Sequence, residues 1–148
     1  MKILIANDHR GIKLKKELIE YLTKKNYSVE NLGTNKEESV DYPVLAFKLS
    51  KKIKDNKNLG ILICGTGIGM SIAANKVKGI RCAKVCNSKE AKFSRLHNNA
   101  NVIAISAGLP LFKVKRIVKN FIETSYSNEE RHQRRIDMIS KYEDEQNA

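Results

Sequence analysis

Residues 64–71 (CGTGIGMS) combine a thiol with a glycine-rich turn. The segment follows an apolar run and precedes a short helical pattern, so we expect it to join a buried strand to a helix. Glycines let the backbone turn tightly, and the N–H groups at the start of a helix attract negative charge. The same N–H groups favour the thiolate form of a cysteine, which makes Cys64 a candidate base or nucleophile.

Proton abstraction next to a carbonyl is the chemistry that suits this segment. It creates an enediolate whose negatively charged oxygen needs hydrogen-bond donors. A base beside several N–H groups supplies both the proton acceptor and those donors. Thr66 is placed to relay or steady the proton on the neighbouring oxygen. The turn could instead hold a nucleotide phosphate, although it lacks the Gly-Lys-Ser/Thr ending of a P-loop and the spacing of a dinucleotide site.

The structural alternative is a tight turn in which Cys64 is a small buried apolar residue. We interpret Cys82 and Cys86 in that way. With three cysteines at no disulfide-like spacing and three scattered histidines, the sequence predicts free thiols and no metal site.

Two further groups are candidates for ligand contact. Asp8 and His9 end an apolar run just before a glycine, where a side chain is better placed to meet a ligand than to pack in the core. Arg131 and Arg135 are four residues apart, share one helix face and can converge on one phosphate. A solvated basic helix is the alternative for this segment.

The composition is that of a folded, soluble globular protein, with 41% hydrophobic and 30% charged residues in a chain of 148. The net charge of +12 leaves two interpretations, nucleic-acid binding or a lysine-rich surface that attracts small anions. Because most lysines, Lys15 among them, fall on predicted helix exteriors and no aromatic residues interleave with a basic stripe, we expect no nucleic-acid partner.

No apolar run approaches the roughly 20 residues that cross a bilayer, so we expect no membrane partner. The apolar part of the N-terminal MKILIAND is too short for a signal peptide. The sequence therefore predicts a cytoplasmic protein.

Apolar runs and amphipathic segments alternate along the whole chain. The pattern predicts strands over residues 2–7, 27–32, 59–64, 80–86 and 101–106, and helices over residues 11–25, 43–54, 68–76, 89–96, 111–124 and 129–143. Strict alternation indicates βαβ units, and so one α/β domain over residues 1–148. We expect a doubly wound five-stranded parallel sheet, a Rossmann-like or flavodoxin-like three-layer sandwich, with an extra C-terminal helix.

Ligands bind such sheets at the carboxyl ends of the strands. The first and third strands end in Asp8-His9 and in Cys64, so these side chains are expected at one edge. His97 precedes the fifth strand and is expected at the opposite edge of its own subunit.

The candidate residues belong to several short motifs that follow one another along the chain. They are residues 8–11 (DHRG), 41–43 (DYP), 63–69 (ICGTGIG), 71–76 (SIAANK), 95–98 (RLHN), 101–102 (NV) and 131–135 (RHQRR). On these motifs the chain resembles, nearly end to end, the type B ribose-5-phosphate isomerases, whose family includes the galactose-6-phosphate isomerase subunits.

The resemblance implies interconversion of ribose 5-phosphate and ribulose 5-phosphate in the pentose phosphate pathway, through a cis-enediolate and without metal or cofactor. It implies that Cys64 is the base, that Thr66 assists the proton, and that His97 opens the furanose ring with help from Asp8. The implied substrate contacts are an anion hole of Gly65, Gly67, Ile68, Gly69 and Ser71, phosphate ligands His9, Arg131 and Arg135, and sugar contacts Tyr42 and Asn98.

The resemblance also implies a homodimer, which could pair into a tetramer, with active sites built from two subunits. His97 and Asn98 would then serve the partner's Cys64. The chain departs from the family in residues 105–110 (ISAGLP), where Gly108 stands in place of a phosphate-binding arginine from the partner subunit. Lys113 and Lys115 are candidate substitutes for that arginine.

Two alternatives remain at this stage. One is an isomerase of a phosphorylated hexose such as allose 6-phosphate, or of a non-phosphorylated aldose. The other is a non-catalytic flavodoxin-like module that binds phosphate or a nucleotide.

Overall fold

The computed structural model describes residues 1–53 and 57–148. Within these residues the strands are β1 (Lys2–Asn7), β2 (Ser28–Asn31), β3 (Leu59–Cys64), β4 (Cys82–Lys84) and β5 (Val102–Ser106). The helices are α1 (Ile12–Lys24), α2 (Tyr42–Lys52), α3 (Ile68–Ala74), α4 (Ser88–Asn98), α5 (Leu111–Glu123) and α6 (Glu130–Gln146). A short 3-10 turn, His9–Gly11, joins β1 to α1. The predicted helix end at position 54 lies outside the described residues.

The strands form one parallel sheet in the order β2-β1-β3-β5-β4. Its register pairs Asn7 with Ile63 and Cys64 with Ser106, so β1, β3 and β5 end at one edge. The predicted alternation, parallel sheet and shared edge of the first and third strands are confirmed.

The sheet lies between two helical layers. Helices α1, α4 and α5 cover the face that includes Ile61 and Ile63, and α2 and α3 cover the face that includes Leu62 and Cys64. Each face buries its own apolar cluster, which explains why β3 is apolar and buried along its whole length. The C-terminal helix α6 packs against α4. None of the described helices is long and apolar enough to cross a membrane.

The edge strands are shorter than predicted. β4 spans Cys82–Lys84 because it pairs only with β5, which leaves Ile80 and Cys86 outside the ladder. Asn101 lies before β5 rather than in it. Its side chain accepts from the Arg81 N–H at 2.8 Å and donates to the Gly79 carbonyl at 2.8 Å, which ties the chain entering β4 to the chain entering β5.

The expectation that Lys15 lies on a helix exterior is wrong. Its side chain is fully buried, and its amino group donates to the Thr34 carbonyl at 2.6 Å and to Asn35 Oδ1. Burial, and secondarily the charge of Lys16, lowers the pKa of Lys15. The long side chain therefore anchors the loop that follows β2, a long-range contact that helical periodicity does not reveal.

Candidate active site

The Cys64 side chain lies where β3 ends, on the α2–α3 face of the sheet, and is 5% exposed. Its Sγ atom accepts a hydrogen bond from the Gly67 N–H at 3.1 Å. The hydroxyl of Thr66 accepts from the Ile68 N–H at 3.2 Å. The sulfur is thus held by a backbone N–H donor of the turn that opens α3.

Gly67 makes this turn possible because it adopts a left-handed conformation, with φ at 81°. A Cβ atom there would also lie 3.1 to 3.3 Å from the backbone of Ile105 and Ala104. Gly79 has the same φ of 81° but open space around it. An alanine at either position would have a strained backbone, but only an alanine at Gly67 would also clash with neighbouring atoms.

We expect Gly79→Ala to lower the free energy of unfolding by about 1–2 kcal/mol, the cost of a left-handed alanine. Gly67→Ala is expected to cost a further 1–3 kcal/mol or so, because the new methyl group meets the β5 backbone. Urea unfolding of the two variants beside the parent protein measures both losses. Equal losses would show that the β5 backbone does not constrain the turn.

The loop after β5 braces the Cys64 turn from within the same chain. The Ala107 N–H donates to the Cys64 carbonyl at 2.8 Å, and the Ser106 hydroxyl donates to the Gly65 carbonyl at 2.7 Å. Gly108 lies in this loop, with its N–H bound to Ser106 Oγ at 3.1 Å. Of the two lysines considered as substitutes for an arginine here, Lys115 places its amino group over the Tyr21 ring at 5.2 Å.

A cleft of about 190 Å³ opens onto the sulfur, and its walls come from three segments of the chain. It is lined by Asp8, Arg10, Tyr42, Cys64, Gly65, Thr66 and Gly69. Asp8 directly follows β1 and accepts the Arg10 N–H on Oδ1 at 2.9 Å. Tyr42 begins α2 and packs over Gly69, where a Cβ would lie 2.5 Å from the ring. The structure therefore brings six predicted site residues together here.

Other members of the predicted anion hole point their polar groups elsewhere. The N–H groups of Gly67 and Ile68 are bound inside the turn, as described above. The Ser71 N–H donates to the Gly67 carbonyl at 3.1 Å, and the Ser71 hydroxyl bonds to the Cys82 thiol. Gly65 and Gly69 are the predicted anion-hole residues that line the cleft.

His9 is half-buried beside the cleft in the 3-10 turn. Its Nδ1 atom accepts a hydrogen bond from the Val40 N–H at 3.3 Å. With Nδ1 engaged as an acceptor, Nε2 is the ring nitrogen left to meet a ligand. The loop anchored by Lys15 thus sets which nitrogen of His9 can donate.

His97, Asn98, Arg131 and Arg135 form a second group, which we call the α4–α6 cluster. The His97 ring stacks on His132 with centroids 4.4 Å apart and an interplanar angle of 17°. Arg131 donates through Nε to Glu129 at 3.0 Å, and Arg135 is exposed. Because α4 ends just before β5 begins, the cluster lies at the opposite edge of the sheet from Cys64, as predicted for His97.

Two residues of these groups were missed by the sequence analysis. Arg10 lines the Cys64 cleft, and only its place in the DHRG motif could have suggested a role. His132 is 7% exposed and stacks on His97; among the described residues its Nε2 atom has no hydrogen-bond partner and lies 4.0 Å from a Glu129 oxygen. Its position four residues before buried Ile136 was the available signal.

His132 gives the protein an expected pH dependence. Burial lowers its pKa, assisted by the charges of His97, Arg131 and Arg135 and opposed by Glu129. A histidine with a lowered pKa in the fold binds protons more readily when unfolded, so its contribution to stability is lost as pH falls below about 6.5. Phenylalanine keeps a ring against His97 and cannot be protonated.

We therefore expect His132→Phe to gain stability relative to the parent protein as pH falls from 8 to 5. The midpoints of urea unfolding, measured for both proteins at intervals across this pH range, give the difference in their stability. Parallel curves would mean that His132 does not titrate differently on unfolding.

The two remaining cysteines differ from each other. Cys82 is half-buried at the margin of the α2–α3 apolar cluster, so its interpretation as a buried residue holds only in part, and burial raises its pKa to about 12. The same interpretation is wrong for Cys86, which is exposed beyond the end of β4 and accepts a hydrogen bond from the Lys84 amino group at 2.9 Å. Over residues 1–53 and 57–148, no three His, Cys, Asp or Glu side chains group as metal ligands would.

Comparison with known proteins agrees with this geometry. Residues 3–139 match the sequence model of the ribose/galactose isomerase family. The chain belongs to the ribose/galactose isomerase family. As a member of that family it is an isomerase, and the resemblance inferred from the motifs is confirmed.

Among its relatives in the family, a probable ribose-5-phosphate isomerase B of Mycoplasma genitalium is 46% identical, over 97% of this chain and 96% of that protein. Ribose-5-phosphate isomerase B of Clostridium thermocellum is 41% identical with a TM-score of 0.93, covering 98% of this chain and 99% of that one. The Mycoplasma genitalium enzyme with bound ribulose-5-phosphate has a TM-score of 0.92 at 45% identity, covering 97% of both chains.

Proposed function

We propose that this isomerase interconverts ribose 5-phosphate and ribulose 5-phosphate, a reaction of the pentose phosphate pathway, with Cys64 as the base. The observation that carries the proposal is the Cys64 thiol, held by the Gly67 N–H at 3.1 Å in the wall of an open cleft. The bound ribulose-5-phosphate in the Mycoplasma genitalium relative supports the choice of substrate.

In the proposed reaction the Cys64 thiolate takes the proton from C2 of the open-chain aldose. The electrons of the C–H bond form the C1–C2 double bond of a cis-enediolate, and the proton is returned to C1. The hydroxyl proton of O2 passes to O1 with the help of Thr66. Gly65 and Gly69 line the cleft, and their N–H groups are the proposed donors to the enediolate oxygens. No other reactant is needed.

The phosphate is proposed to bind to Arg131, Arg135 and His9. Arg131 and Arg135 sit one turn apart on α6, which suits two guanidinium groups converging on one anion. His9 can add the Nε2–H that its bond to Val40 leaves available.

A homodimer with shared sites is part of the proposal, because the catalytic residues fall into two groups at opposite edges of one subunit. In a dimer, His97 and Asn98 would open the ring of a sugar bound at the partner's Cys64. Apolar side chains on the surfaces of α3 and α6 offer an area that a second copy would cover. They are Ile68, Ile72, Met138, Ile139 and Tyr142, each more than half exposed.

A direct assay tests the substrate. We expect the purified protein to convert ribose 5-phosphate to its ketose far faster than allose 6-phosphate or ribose. Turnover of allose 6-phosphate alone would select the hexose alternative. Turnover of ribose alone would select the non-phosphorylated aldose, which fits a loop after β5 that has Gly108 in place of a cationic phosphate ligand. Turnover of none of the three sugars would reject the proposal.

A further inference from the structure

Arg10 supplies a positive charge to the Cys64 cleft from the same chain. The other side chains that line it are an acid, a phenol, a thiol and a hydroxyl, contributed by Asp8, Tyr42, Cys64 and Thr66. We propose that Arg10 binds the phosphate of the substrate and sets the preference for phosphorylated sugars. This inference rests on the proposed function and adds a ligand to it.

The local structure holds Arg10 in this place. Its backbone N–H is fixed by Asp8 Oδ1 at 2.9 Å, within the turn between β1 and α1. Its side chain crosses the face of Gly65, where a Cβ would lie 3.0 Å from Nη1 and 3.1 Å from Cδ. The missing side chain at Gly65 therefore makes room for the arginine against the turn that holds Cys64.

The guanidinium group is available for a ligand. Among the described residues it makes no hydrogen bond and no ion pair, and the residue is exposed. An arginine presents five N–H donors in a planar fork that matches phosphate oxygens. The neighbouring loop over residues 106–109 (SAGL) brings no charged side chain to this side of the cleft.

The positions of Cys64 and Arg10 along the depth of the cleft indicate which end of the sugar meets Arg10. Cys64 is 5% exposed at the inner end of the cleft, whereas Arg10 lies at the open surface. A sugar with C1 and C2 at the sulfur extends its phosphate, three carbons further along, towards the mouth. The enediolate forms at the inner end, beside the backbone donors of the turn.

Arg10→Gln tests this assignment because it removes the charge and keeps most of the side-chain length. We expect KM for ribose 5-phosphate to rise about 10- to 100-fold, as the loss of a charge-assisted hydrogen bond predicts. The value of kcat, and any turnover of unphosphorylated ribose, should change little. Arg10→Lys should recover part of the loss, and Arg116→Gln, which removes an exposed charge on α5, should behave as the parent protein.

Calorimetric binding of inorganic phosphate gives a readout that is independent of turnover. Weaker phosphate binding by Arg10→Gln, but not by Arg116→Gln, supports the inference even if ribose 5-phosphate proves not to be the substrate. Unchanged phosphate binding and unchanged KM would overturn it. An equal fall in kcat for both sugars would also overturn it, since that result assigns Arg10 to the reacting carbons.

Discussion

Replacing Cys64 by alanine is expected to lower kcat for ribose 5-phosphate by about 10²- to 10⁴-fold, the usual contribution of a positioned general base. The reason is that the cleft offers few other groups that could take a proton from C2. Asp8 is engaged by the Arg10 N–H, and Thr66 accepts from the Ile68 N–H. Binding of the substrate should persist, because none of the proposed phosphate ligands is changed.

Three measurements make this test specific. Steady-state kinetics give kcat, calorimetry gives substrate affinity, and exchange of the C2 hydrogen in deuterated water follows the proton step itself. Cys86→Ala is the matched control, because it removes an exposed thiol outside the cleft. Near-normal exchange in Cys64→Ala would show that this cysteine merely packs against the sheet.

Periodicity and position were enough to predict the sheet and the location of Cys64. β3 is buried on both faces, so its sequence is apolar throughout, and a cysteine followed by glycines marks its end. The rule that ligands meet the carboxyl ends of strands then placed Asp8 beside Cys64, and the register of β1 against β3 agrees. The resemblance added roles that these patterns alone left open.

The sequence could not predict contacts between segments that are distant along the chain. Lys15 is buried because the loop after β2 offers it a carbonyl and an amide oxygen. His132 stacks on His97 because α6 returns to pack on α4. Arg10 turns into the cleft because Gly65 leaves space. Each of these depends on side-chain direction and on a partner that local periodicity does not specify.

The proposed site residues lie at two opposite edges of the sheet. We therefore expect two inactive variants, each altered at one edge, to restore activity when they are combined in one dimer. Cys64→Ala and His97→Ala are each expected to be nearly inactive on ribose 5-phosphate as homodimers. A heterodimer of the two has one site with both substitutions and one site with neither. We therefore expect a purified heterodimer to recover roughly half of the parent activity, and a random mixture roughly one quarter.

Co-expression of the two chains with different affinity tags, followed by purification on both tags, isolates the heterodimer. The control pairs the Cys64→Ala chain with a chain that carries both substitutions, because no intact site can form from that pair. Recovery in the first heterodimer and not in the control requires that His97 act on a sugar held by the other chain. If both were equally inactive, each site would have to be built within one subunit, and α4 would have to carry His97 across the sheet to reach Cys64.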